Sequence, residues 1–204
     1  SSDLHISQLT EPKLARLFDA DGDGKADLLG PNAGWGGEAV VEHQLSAFKL
    51  RDTVRYVQGN YPALISDTLA RFKQGKPVLF YAWTPYWLSN VLRTGVDTVW
   101  LEVPRSAMPG VQAGTDTRMP NGKNYGFPIN NQYIVGNKVW VGQQPAAARL
   151  FELMKLPVAD ISAQNHLLSQ GQGKAADIER HTDAWIKAHQ ATFDGWIKQA
   201  RAAA

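Results

Sequence analysis

Apolar positions recur along this chain with two periods, one helical and one extended. Ser7 to Phe18 reads as a short helix with Leu9, Leu14 and Leu17 on one side. After Gly37, apolar Ala39, Val40, Val41, Leu45 and Phe48 interleave with polar Glu38, Glu42, His43 and Gln44, which predicts a helix fed by a glycine-rich loop. Val54–Val57 predicts a short strand. A second helix is predicted over 59–76: Pro62 sits in its first turn, Leu64, Ile65, Leu69 and Phe72 form its apolar face, and Gly75 ends it. Pro77–Trp83 is a short apolar run suited to a buried strand of an α/β sheet. Thr84-Pro85 breaks it, and another helix is expected to follow. Val96–Pro104 predicts a further strand, with Trp100 as a packing residue.

Beyond that strand, Ser106–Asn124 is rich in Pro, Gly, Asn and Thr and reads as a loop excursion. An extended aromatic segment, YGFPINNQYIVG, follows. The character then changes. Pro145–Leu156, Val158–Ser169, Ala175–His189 and Thr192–Ala203 are four helical stretches. Phe151, Trp185, Phe193 and Trp196 recur there at core-like helical spacing, and Trp140 is expected to be structural. The shift near Tyr125–Ile134 divides the chain into an α/β part, residues 1–125, and a crossover with helices, residues 126–204.

Composition narrows the function classes. Of 204 residues, 44% are hydrophobic, an ordinary share for a globular protein. The net charge is +2 with both signs interspersed, which gives no nucleic-acid footprint. No apolar run approaches the ~20 residues of a membrane span. SSDLHISQL reads as an internal start rather than a secretory signal. The chain has no cysteine, so thiol catalysis, thiolate metal sites and disulfides are excluded. The five histidines show no mutual metal-ligand spacing. His43 has no nucleophile motif beside it, and Glu38 has no nameable partner acid. A non-enzymatic binding protein is the expectation.

Two stretches carry candidate chemistry. In Gly30–Leu50, Gly34, Gly36 and Gly37 leave the backbone open around Trp35. A glycine loop feeding a helix N-terminus exposes unpaired N–H groups that suit an anion. An indole face beside it suits a cation. One short stretch thus offers both halves of a zwitterion site, although the residues alone also fit a plain loop with Trp35 capping the core. Trp83 stands at the carboxyl end of a buried strand, where open α/β sheets place ligands; position alone leaves Trp83 and Trp87 open between core and ligand contact.

The second stretch is FDADGDGKADLLG. Asp19, Asp21, Asp23 and Asp27 fall at positions 1, 3, 5 and 9 of an EF-hand-type loop, with Gly24 at position 6. Lys25 would give its backbone carbonyl. Gly30 stands where the closing Glu belongs. The loop is a candidate for structural Ca²⁺, and its alternative is an Asp/Gly turn with solvated carboxylates. Without a cation, carboxylates so close should repel one another.

Taken together, LFDADGDGKADL, NAGWGGE, QGNYPAL, YAWTPYWLSN, VWLEVP, NYGFP and AHQATFDGWI resemble the periplasmic glycine betaine-binding proteins of osmoregulatory ABC importers. The resemblance runs in order from about Ile6 to the end. It implies an α/β, type II periplasmic-binding-protein fold with the ligand clamped between two lobes. It implies that Trp35 and Trp83 belong to an aromatic box around a trimethylammonium group. It also implies that Gly36 and Gly37 donate backbone N–H groups to the ligand carboxylate.

Two departures stand out. Some members flank the Trp loop with a cysteine pair; here Pro31 and Gly37 occupy those places. The resemblance also starts partway through the family sequence, leaving out roughly 95 residues, the size of most of one small lobe. That segment would carry the third tryptophan of the box and a histidine that holds the carboxylate. What remains resembles one complete lobe plus the C-terminal helices of the other.

The expected function is therefore a periplasmic, substrate-binding subunit that captures glycine betaine or proline betaine for a membrane permease. It would need no cofactor, with structural Ca²⁺ as an option. The alternatives are a choline- or carnitine-preferring receptor and, in another class, a calcium-stabilised interaction module. The C-terminal helices, with Phe151, Leu153, Ile161, Leu167, Trp185 and Trp196, are expected to want a covering partner. That partner would be a second copy or an N-terminal fragment, and betaine affinity should be weak without it.

Overall fold

The computed structural model describes residues 4–204, which form two compact units. The first runs to Ala82 and resumes over Val99–Ile129; the second comprises Trp83–Thr98 and Asn130–Ala204. The compositional boundary at residue 125 lies close to the end of the first unit. Residues 83–98, however, group with the C-terminal helices.

The first unit is α/β. A 3-10 turn, Ile6–Thr10, leads into the short α1, Pro12–Ala15. Then come β1, Ala26–Leu29; α2, Gly36–Ala47; β2, Val54–Val57; α3, Tyr61–Lys73; and β3, Leu79–Phe80. The three strands form a parallel sheet in the order β2-β1-β3. β1 is central, and its Ala26, Asp27 and Leu28 are all buried, as a parallel strand covered on both faces should be. α2 buries Val40, Val41, Gln44 and Leu45, a single stripe repeating every turn. α3 begins where Asn60 accepts from the Ala63 amide at 3.2 Å and ends just before Gly75. Leu28, Val41, Leu45, Leu50, Val54 and Leu79 meet in the core.

Two side-chain events fix the sheet. The parallel register sets Asp27 opposite Arg55, and Arg55 Nε donates to Asp27 Oδ1 at 2.8 Å. Asp27 is only 4% exposed, so this partner offsets the cost of a buried carboxylate. At the other end of β1, the Tyr56 ring lies directly over the Cα of Gly30. A Cβ there would fall 1.8 Å from Tyr56 Cε2. Burial pushes the Tyr56 hydroxyl up to about 12, so it stays protonated at neutral pH.

The expected loop over 106–124 carries one 3-10 turn, Gly110–Gln112, and is held by a buried polar network. Thr117 donates its N–H to Ser106 Oγ at 2.9 Å and its hydroxyl to Asn124 Oδ1 at 2.7 Å. Gly126 donates to the same Asn124 oxygen, and Gln44 Nε2 of α2 donates to the Gly126 carbonyl at 2.6 Å. Each member is satisfied, which is what allows polar groups in a core.

Three sequence expectations are corrected here. Val96–Pro104 is not a regular strand: it makes only isolated bridges, Thr94 to Thr98 and His5 to Glu102. Its edge is taken by single bonds to Leu4 and Asn124 rather than by a neighbouring strand. The run 77–83 contributes only Leu79–Phe80 to the sheet. The helix expected after Thr84-Pro85 is one 3-10 turn, Trp87–Asn90.

The second unit is helical: α4, Lys138–Gln143; α5, Pro145–Leu153; α6, Val158–Ser169; α7, Ala175–Ala188; and α8, Gln190–Arg201. α4 was not expected; Asn137 starts it by accepting from the Val139 and Trp140 amides. α5 packs on α8, and α6 packs on the 87–90 turn. Trp185 stacks on Trp196 with ring centroids 5.8 Å apart and donates its indole N–H to Asp160 at 2.8 Å. Yet from 130 to 204 only Ser162, Trp196 and Ala200 are buried. Phe151, Leu153, Ile161, Leu167 and Trp185 are half-buried, and Trp140 is 48% exposed. Among the described residues, no helix is long and apolar enough to cross a membrane.

Gly30→Ala should lower stability by about 1–3 kcal/mol, because the Tyr56 ring must leave its seat. The urea midpoint of unfolding reads this; an unchanged midpoint would show that the ring yields freely.

Candidate functional site

The Trp35 loop leaves the carboxyl end of β1 and enters α2. Gly34 takes a φ of +84°, which favours glycine. The Trp35 amide donates to the Asn32 carbonyl at 3.1 Å, and the Glu38 amide donates back to the Trp35 carbonyl at 3.0 Å. Glu38 Oε2 accepts from the Gly34 amide at 2.6 Å and its Oε1 accepts from Gln58 at 2.7 Å. The Gln58 bond, then the Gly34 amide, hold its carboxyl below the usual range. These bonds give the loop one shape. Trp35 is left 40% exposed.

Gly36 and Gly37 are the first two residues of α2. Among the described residues, no backbone carbonyl accepts from either amide. A Cβ on Gly36 would meet open space, whereas one on Gly37 would fall 2.9 Å from the Tyr81 hydroxyl. Glycine at 37 thus lets a tyrosine hydroxyl come close to the start of the helix. Burial raises the Tyr81 pKa, so that hydroxyl is a donor at neutral pH. Two open amides at the positive end of the helix dipole favour an anion there.

Trp83 belongs to the second unit and is half-buried. Tyr86 stacks on it with centroids 4.4 Å apart and planes 30° apart. Trp87 follows, 5.5 Å from Tyr86, also half-buried. Trp100 lies 6.3 Å from Tyr125 and packs as expected.

The acidic loop precedes β1. Oxygens of Asp19, Asp21 and Asp27 come within 4.8 Å of one another. The expected repulsion is offset by Arg55, which brings a positive charge to the loop. It pairs with Asp21 and Asp27, with Asp23 at 3.8 Å. Backbone amides take up the remaining oxygens: Gly22 and Gly24 donate to Asp19, Ala20 to Asp27, and Lys25 to Asp23. The Gly22 and Gly24 bonds hold the Asp19 carboxyl below its ordinary value. Sequence spacing showed the carboxylates but not their counter-charge, which comes from another strand.

A polar groove of about 600 Å³ lies elsewhere, lined by Glu102, Arg105, Ser106, Asp116, Arg118 and Asn124. Arg118 pairs with Asp116 there at 2.8 Å, Glu102 takes Lys123 at 2.7 Å, and Arg105 donates to the Ala47 carbonyl. Three tyrosines escaped the sequence reading: Tyr61 beside Trp35, Tyr86 beside Trp83, and Tyr81 beside Gly37. Tyr61 lies one turn before Ile65 on the same apolar stripe, and that spacing marks it as inward-facing.

Comparisons with known proteins identify the family. Residues 5–188 match the family described as the substrate-binding domain of the ABC-type glycine betaine transport system. The glycine betaine-binding periplasmic protein OusX of Dickeya dadantii is 61% identical over 199 residues, covering 98% of this chain and 60% of that protein. The glycine betaine/proline betaine-binding periplasmic proteins of Salmonella typhimurium and Escherichia coli are each 56% identical with the same coverage. This chain therefore spans about 60% of the length of these relatives. Among solved structures, lactococcal OpuAC, crystallised closed with glycine betaine, aligns with a TM-score of 0.54 at 20% identity. The alignment covers 97% of this chain and 63% of that one. That likeness extends to the fold, a periplasmic-binding-protein α/β architecture built on a parallel sheet. With the match across residues 5–188 and these relatives together, the chain belongs to the family of substrate-binding domains of ABC-type glycine betaine transport systems.

Proposed function

We propose that this chain is the larger part of a periplasmic receptor that captures glycine betaine or proline betaine and hands it to an ABC permease. It is a binding protein and not an enzyme. The observation that carries this reading is a half-exposed indole, Trp35, next to the open amides of Gly36 and Gly37. A trimethylammonium group donates no hydrogen bonds, so aromatic faces must recognise it, at about 0.5–2 kcal/mol each. The carboxylate then fixes the ligand's orientation through charge-assisted bonds to the two amides. Trp83, half-buried and backed by Tyr86, is proposed as a second aromatic face. The relatives' names support glycine betaine and proline betaine over choline or carnitine. Choline lacks the carboxylate and gains nothing from Gly36 and Gly37.

The acidic loop supports one second reading, a structural Ca²⁺ on Asp19, Asp21, Asp23, the Lys25 carbonyl and Asp27. The convergence of three carboxylates favours it. The ion would have to compete with Arg55, whose guanidinium already serves these oxygens. For the second unit we propose a covering partner, either a second copy or an α/β fragment equivalent to the part of the relatives that this chain does not span. The half-buried faces of Phe151, Leu153, Ile161, Leu167 and Trp185 support it.

Three measurements test these readings. In isothermal titration with glycine betaine, on the chain combined with its covering partner, Trp35→Ala and Trp83→Ala should each weaken binding about 3–30-fold and leave the circular dichroism unchanged. Wild-type affinity in both variants would refute the aromatic assignment. Excess EGTA should lower the melting temperature if calcium is resident, and Arg55→Ala should enlarge that drop; no change in either protein would remove calcium from the loop. Light scattering on the chain alone should show association. A clean monomer with tight betaine binding would contradict the covering partner.

A further inference from the structure

Trp35 stands on a loop, and an indole on a loop swings unless something seats it. We infer that Tyr61 is a positioning residue for Trp35, holding its indole in the orientation a cation needs. The inference rests on the quaternary-ammonium reading above. Tyr61 is 1% exposed, and its ring lies 5.6 Å from the Trp35 ring at 41°. That leaves the tyrosine behind one side of an indole that is 40% exposed. Tyr61 in turn is pinned at both ends. Its hydroxyl donates to the Tyr81 carbonyl at 2.7 Å, just past β3, and its amide donates to Asn32 Oδ1 at 2.7 Å.

Asn32 closes the circuit. Its side chain holds the start of α3 through Tyr61, while its own carbonyl accepts from the Trp35 amide at 3.1 Å. The backbone and the ring of Trp35 are therefore both referred to the same tyrosine. The tyrosine is referred to the sheet, because the Tyr81 amide donates to the Leu29 carbonyl of β1 at 2.7 Å. Aromatic ligand contacts depend on ring angle, and seating the ring before the ligand arrives removes an ordering cost from binding. Tyr61 makes this contribution from a buried position and acts only through Trp35.

The test needs the indole of Trp35 as its own reporter. In the ¹⁵N-labelled chain, the Trp35 indole N–H peak is assigned as the one lost in Trp35→Phe. Tyr61→Leu should shift and broaden that peak and leave those of Trp185 and Trp196, in the second unit, in place. Tyr61→Phe, which keeps the ring, should hold the peak near its wild-type position while the melting temperature falls. An unmoved Trp35 peak in Tyr61→Leu would overturn the inference and make Tyr61 a core residue only.

Should Tyr61→Leu not fold, Asn32→Ala removes the shared clip and keeps every ring. It should shift the same peak, and an unmoved peak there overturns the inference equally. Selectivity gives the second readout. The preference for glycine betaine over 3,3-dimethylbutanoate, which keeps the carboxylate but has a neutral tert-butyl group in place of the trimethylammonium, isolates the cation term. It should fall about 5-fold in Tyr61→Leu, as expected for a weakened cation–π contact, and by less than about 2-fold in Tyr61→Phe. If betaine leaves the wild-type Trp35 peak unmoved, the receptor reading fails, while the Tyr61→Leu peak still decides the positioning claim.

Discussion

The first unit depends on one charge pair set by strand register. Asp27 is a buried carboxylate in the middle of the central strand, and it is tolerated only because the parallel pairing puts Arg55 opposite it. Both ends of β1 follow from that placement. On the amino side, Arg55 also gathers Asp21 and Asp23, so the acidic loop closes on a guanidinium. On the carboxyl side, the same register brings the Gly30 amide to the Val57 carbonyl at 2.9 Å and aims the chain into the Trp35 loop. A slip of one residue would take Arg55 from its place opposite Asp27 and leave a buried carboxylate unpaired.

The candidate site is built from backbone and rings rather than from charged side chains. Glu38, at the start of α2, is committed to the Gly34 amide and Gln58. It therefore shapes the loop instead of competing with an anionic ligand end. Tyr81 serves twice: its carbonyl anchors Tyr61, and its hydroxyl occupies the space that a side chain at 37 would fill. This economy suits a zwitterion, which needs a soft aromatic face and a few oriented donors, and little else.

The second unit shows the opposite balance. α5, α7 and α8 have strong apolar stripes, and one tryptophan stack, Trp185 on Trp196, joins α7 to α8. Yet few of their residues are buried. Helices of this kind draw most of their stability from packing an apolar face, so a layer with so little buried is poorly supported by its own contacts.

The sequence by itself determined what is local or periodic. The stripe on α2, the start of α3 at Asn60–Pro62, the glycine loop around Trp35 and the converging aspartates were all legible, because each depends on residues within one or two turns. The existence of the C-terminal helices was legible for the same reason. Only the tertiary structure decided the rest. Arg55 stands 28 residues from Asp27, and no local pattern links them. Val96–Pro104 has strand composition, but no neighbouring strand reaches it, and a strand exists only by pairing. The seat of Trp35 on Tyr61 joins two elements through Asn32. Whether an exposed-looking tryptophan is braced or loose is set by what packs behind it, and that is a property of the fold alone.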